Sequence, residues 1–152
     1  MKILGSVSLN PEKAEATQKI DNLVKSSSEV LYRAKNFFPF DLFPDEIIVM
    51  RQRVDIVYGL FFSSKEILSI EIKNLFDVNL DFDLLFAAID FKLTVGQEEP
   101  GTVKFLKKRE AIELRRIVVG LIAAYREKID ISSLTKEELL PKLIEIGKAR
   151  QQ

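Results

Sequence analysis

Asp77, Asn79, Asp81 and Asp83 stand at alternate positions and form the densest set of potential metal ligands or acid–base groups in the chain. In an extended strand these four project from one face, with Val78, Leu80 and Phe82 on the other. The D-x-N-x-D opening is that of an EF-hand calcium loop, which also needs Gly at position six and Glu at position twelve. Phe82 and Ala88 occupy those positions, so that loop is excluded and the acids are read as a solvated strand face. Nor do they make a catalytic pair, because no activated nucleophile stands at a usable spacing. The chain has no Cys and no His, which removes thiol nucleophiles, disulfides, zinc fingers and the commonest general base. The expectation is a protein that is not an enzyme and uses neither a metal nor a cofactor.

Cationic side chains gather in two places. Arg51 and Arg53 flank Gln52 at a short hairpin turn, while Lys104, Lys107, Lys108 and Arg109 lie where the last strand gives way to a helix. Cations that converge with free backbone N–H groups can surround a phosphate. Arg51, Arg53, Lys107, Lys108 and Arg109 are therefore the candidate contacts to an anionic lipid head group. The second group opposes the helix macrodipole by about 0.3 to 1 kcal/mol per cation, and Glu110 and Glu113 in the first turn offset it. With 23 basic and 23 acidic residues the formal charge is zero, so the uniformly basic surface of a nucleic-acid binder is missing and no nucleic acid is expected as a partner.

The 152 residues suit one domain with appendages, and a chain of that size buries enough apolar surface to fold without disulfides. From Asn10 to about Asn36 the apolar positions Ile20, Leu23, Val24, Val30, Leu31 and Ala34 keep a helical phase, with Asn10 as cap and Pro11 at the first helical position. Ser26 and Glu29 have capping-box spacing and could split the segment; the continuous phase favours one helix. Its stripe, Ile20, Leu23, Val24, Val30 and Leu31, is the candidate interaction surface. The segment Phe37 to Pro44, with four Phe and two Pro, reads as a packed connector. Between Glu46 and Leu106, short β-branched runs separated by polar punctuation read as strands at Ile47–Val49, Val54–Tyr58, Ile67–Ile72, Leu75–Leu80, Leu85–Thr94 and Thr102–Leu106. Lys108 to Lys128 returns to a helical period, with Gly120 marking a close backbone approach. Thr135 and Glu138 form a capping box for a last helix, which Gly147 is read as ending.

The runs Asp45 to Val49 and Ile56 to Gly59, followed by KEILSIEIKNLFDV from Lys65 to Val78, resemble the bacterial pleckstrin-homology-like (PH-like, membrane-flanked domain of unknown function) families over about residues 43–128. That resemblance implies an α+β fold: a PH-like curved antiparallel β-barrel of six or seven strands capped by a C-terminal helix, here with an extra N-terminal helix and a short extra C-terminal helix. The domain division is then 1–38, an N-terminal helical appendage; 39–130, the PH-like domain; and 131–152, a C-terminal helical appendage. Two departures stand out: the transmembrane helices that often flank such domains are absent, and Ala87 or Ala88 replaces a glycine common after the fourth strand. PH-like folds also receive peptides as added strands beside the C-terminal helix. The expected function is a non-enzymatic scaffold for protein–protein interaction or self-association, including a homo-oligomer; the alternative is a peripheral membrane adaptor binding anionic lipid. The weak N-terminal apolar run after Met1 argues against export, so the expected location is cytoplasmic, or peripheral at the membrane under the second reading.

Overall fold

The computed structural model describes residues 10–37, 42–94, 96 and 98–150. Helix α1 (Pro11–Ser28) leads into strands β1 (Val30–Lys35), β2 (Glu46–Met50), β3 (Arg53–Gly59), β4 (Lys65–Glu71), β5 (Leu75–Phe82), β6 (Phe86–Leu93) and β7 (Val103–Lys107). Helices α2 (Lys108–Arg126) and α3 (Lys136–Ala149) follow. The strands make two antiparallel sheets, ordered β1-β2-β3-β4 and β5-β6-β7. They do not close into a barrel: among the described residues no strand pairing joins one sheet to the other.

The core lies between the sheets and α2. Ile47, Val49, Val54 and Ile56 come from the first sheet, and Val78, Ile89, Phe91 and Leu106 from the second. Ala111, Leu114, Ile117, Val118, Leu121 and Ile122 supply the helical side, where an amphipathic stripe must lie against apolar partners. Leu139 and Leu143 of α3 extend the same cluster over the outer face of α2. The capping box at the start of α3 forms as its spacing predicts: the Glu138 N–H donates to Thr135 Oγ1 at 3.3 Å, and the Thr135 N–H donates to Glu138 Oε2 at 2.9 Å.

The first helix is shorter than its apolar phase predicts. It stops at Ser28, and Val30, Leu31 and Ala34 belong to β1, paired with β2. The Ser26 and Ser28 hydroxyls turn back onto the carbonyls of Leu23 and Val24, and Glu29 leaves the helix with ψ 117. A register shift between Val30 and Tyr32 then breaks the period of two, so the buried residues Leu31 and Ala34 stand three apart, a spacing that also fits a helix. The sheet thus takes in Val30–Lys35, within the segment assigned to the appendage 1–38. In the connector, Phe37 and Phe43 are 41% and 38% exposed and each packs on another ring, Leu42 is 72% exposed, and Phe38 to Asp41 lie outside the described residues. Gly147 does not end α3, which continues to Ala149; it sits where the two last helices cross.

Candidate functional site

The two cationic groups do not converge. Arg51 lies beside the loop that follows α2, since its Nη1 and Nη2 donate to the carbonyls of Ile131 and Leu134 at 2.8 and 2.9 Å. Lys107, Lys108 and Arg109 stand at the other end of α2. Arg51 borders the same cleft as Leu121 and Ala124, so at 1.5 Å per residue about 20 to 24 Å of helix lies between the two groups, beyond the reach of one head group.

Arg51 is also not at the surface. It is 7% exposed, and its Nε donates to Glu29 Oε2 at 2.7 Å, so its donors are spent inside the protein. Arg53 stays partly exposed beside Asp55, 3.3 Å away. At the second group, Lys107 lies 3.4 Å from Glu110, the local offset its position calls for. Lys108 donates to the Leu84 carbonyl at 3.0 Å, and Arg109 is exposed.

The acidic strand behaves as a sheet surface. Asp77, Asn79 and Asp81 lie on β5, opposite Lys92, Asp90 and Ala88 of β6. Asp83 caps the following turn, accepting from the N–H groups of Phe86 and Leu85 at 2.6 and 2.9 Å, and these bonds hold its carboxyl below the usual range. Among the described residues no group of three acidic or other ligating side chains could hold a metal ion. The most perturbed phenol is Tyr32: burial, then the negative charges of Glu113 and Glu110, push it up to about 12. It points at Glu113 across 3.5 Å and ties β1 to α2.

The sheet edges are unequal, a difference that residue types alone do not show. On β5, beside α2, the edge is closed: Arg126 donates to the Phe76 carbonyl at 2.8 Å and Arg115 to that of Val78 at 2.7 Å, with Arg126 also over the Phe76 ring at 5.2 Å. Two carbonyls that a strand added beside α2 would need are thus already taken by the protein's own arginines. Strand β4 differs. It pairs with β3 over its whole length, and its other edge carries no pairing among the described residues. Ile67 and Leu68, adjacent and so on opposite faces, are 64% and 37% exposed. The one sequence signal was that adjacency of two large apolar residues in a strand flanked by charges.

A third surface feature is aromatic. Leu60, Phe61 and Phe62 form the β3–β4 loop, where Phe62 is 86% exposed and held at φ 57. The Phe61 ring meets Phe43 of the β1–β2 loop at 5.6 Å, and Phe37 of that loop meets Phe86 beside the β5–β6 turn at 5.9 Å. No helix among the described residues is long and apolar enough to cross a membrane. No family model matches this chain, and no curated protein is significantly similar to it.

Proposed function

We propose that this chain is a non-enzymatic binding module of the PH-like type whose partner is a protein, a copy of itself included. Support for the PH-like reading comes from chain order: seven strands fold consecutively as four and three, and α2 follows β7 directly and packs on β5. The observation that carries the binding reading is the open edge of β4. Ile72 N–H bonds Gln52 O at 2.8 Å and Leu60 N–H bonds Ser64 O at 2.9 Å. These fix the parity of the β3–β4 ladder, in which Val54, Ile56 and Tyr58 exchange bonds with Ile70, Leu68 and Glu66. Lys65, Ile67, Ser69 and Glu71 therefore direct their N–H and C=O groups outward, where an added strand would satisfy them.

The test is amide NMR of the full chain titrated with a capped seven-residue peptide of alternating Thr and Val at millimolar concentration. Shifts are expected at the amides of Lys65, Ile67, Ser69 and Glu71. Shifts confined to α1, whose Ile20, Leu23 and Val24 are more than half exposed, or an unchanged spectrum, would overturn the edge as the binding surface.

The lipid reading has a specific observation of its own, made by apolar residues and retaining only Lys108 of the five cations first singled out. The exposed Phe61, Phe62, Leu84 and Leu85 lie in the β3–β4 and β5–β6 turns, and large apolar side chains so exposed at the rim of a fold suit a fluid bilayer. Lys65 borders the cleft beside Leu42 and Leu60, and Lys108 holds the Leu84 carbonyl, so cations flank the rim. In vesicle sedimentation the full chain is expected to bind phosphatidylserine-containing vesicles over neutral ones, and F62S with L84S to weaken binding by about tenfold or more. Equal partition of wild type and variant, or no binding by either, would remove this reading.

A further inference from the structure

Of the four outer strands of the two sheets, three carry a bulge or register shift that works against pairing, and the fourth carries only charges at its ends. Strand β1 has its extra residue between Val30 and Tyr32, along with Arg33 and Lys35. Strand β5 has its extra residue between Leu75 and Asp77 and two carbonyls closed by arginine. Strand β7 is five residues long, includes Phe105 at φ 58 within a register shift, and presents Lys104 and Lys107. Bulges, short length and lysines are the means by which folded proteins keep edges from joining. Strand β4 runs seven residues in unbroken register without Pro, and Ile67 to Ile70 at its centre are uncharged.

The charges at its ends are complementary to each other. We infer that β4 pairs antiparallel with β4 of a second copy about a two-fold axis at Leu68, joining two four-stranded sheets into one. This rests on the strand-acceptor reading above and names its occupant. In that register Lys65 of each copy faces Glu71 of the other, Ile67 faces Ser69, and Leu68 faces Leu68. The outward-directed residues 65, 67, 69 and 71 then meet one another as hydrogen-bonded pairs, which the parity of the ladder requires. Moving the axis to Ser69 sets Lys65 against Lys73, a like-charge pair; moving it to Ile67 leaves Glu71 opposite Ser63. Only the Leu68 register matches both strand ends, and the match is made twice by symmetry.

The absence of cysteine makes the test direct. Residues facing each other across an axis between hydrogen-bonded pairs have Cα atoms about 4.5 Å apart, within disulfide range. Full-length L68C is expected to form a disulfide-linked dimer on mild oxidation, and I20C on α1 is not. By light scattering the wild type is expected to dimerise with increasing concentration; K65E and E71K should each weaken the dimer by about tenfold or more, and K65E/E71K should restore it. A chain monomeric to about 1 mM overturns self-pairing, and the peptide titration then decides separately whether β4 accepts strands at all. A dimer indifferent to the single reversals, not restored by the double, or cross-linked through I20C instead of L68C also overturns it.

Discussion

Arg51→Ala is expected to lower the unfolding free energy by about 3 kcal/mol, toward the lower end of what removing one partner from a buried ion pair costs. The guanidinium joins three segments distant in sequence. Nε reaches Glu29, between α1 and β1, while Nη1 and Nη2 reach the carbonyls of Ile131 and Leu134 in the connection between α2 and α3. Truncation leaves two carbonyls short of donors and a carboxylate without its cation. Glu29 is partly accessible, its side chain 32% exposed, so water recovers some of that loss. Arg51→Lys should regain less than half, because an ammonium is a single point and the three acceptors are spread around a planar fork. Arg53→Ala, two residues along the same motif, should cost about 1 kcal/mol, clearly less than Arg51→Ala: Asp55 is 7% exposed and loses a donor 3.3 Å away, but the Arg53 side chain itself is 44% exposed, so water can take its place. Urea unfolding of the three variants measures the contrast. Equal losses for Arg51→Ala and Arg53→Ala would show that the clasp does not hold the segments together.

That contrast marks where the sequence stops being informative. Arg51 and Arg53 look alike as residues in a hairpin turn; what separates them is whether carbonyls about 80 residues away fold over one of them. Local chemistry was legible where it is local. The β-branched runs from Ile47 to Leu106 became strands, Asn10 and Thr135 cap their helices, and Gly120 marks a close approach of backbones. Strand β1 was not, because its extra residue moves Leu31 and Ala34 into a spacing that helices share. The open edge was legible only in composition. That Ile67 and Leu68 are apolar neighbours is written in the chain, but which N–H groups face outward depends on pairing with β3. The closing of β5 by Arg115 and Arg126 likewise depends on how α2 lies along the second sheet.

Gly147→Ala is expected to destabilise the protein by about 3 kcal/mol, against the sign that helix propensity alone predicts. Alanine is favoured over glycine inside a helix by about 1 kcal/mol, and Gly147 lies inside α3. A methyl group there would stand 2.5 Å from the Arg116 Cα and 2.7 Å from its carbonyl carbon, both backbone atoms that no rotamer change can move. At the matching point on α2, a Cβ on Gly120 would lie 2.8 Å from the Leu143 Cα. Arg116 and Gly120 thus face Gly147 and Leu143 in an antiparallel crossing at backbone contact. Either substitution must push the helices apart, loosening Leu139 and Leu143 from the core and the Lys136 Nζ bond to the Val30 carbonyl, 2.7 Å long. Because the first separation relieves the second clash, Gly120→Ala with Gly147→Ala should cost clearly less than the sum of the two. Thermal unfolding should show a fall of about 10 °C for Gly147→Ala. A melting temperature unchanged or raised would mean that propensity outweighs the contact and that α3 does not rest on α2 through its backbone.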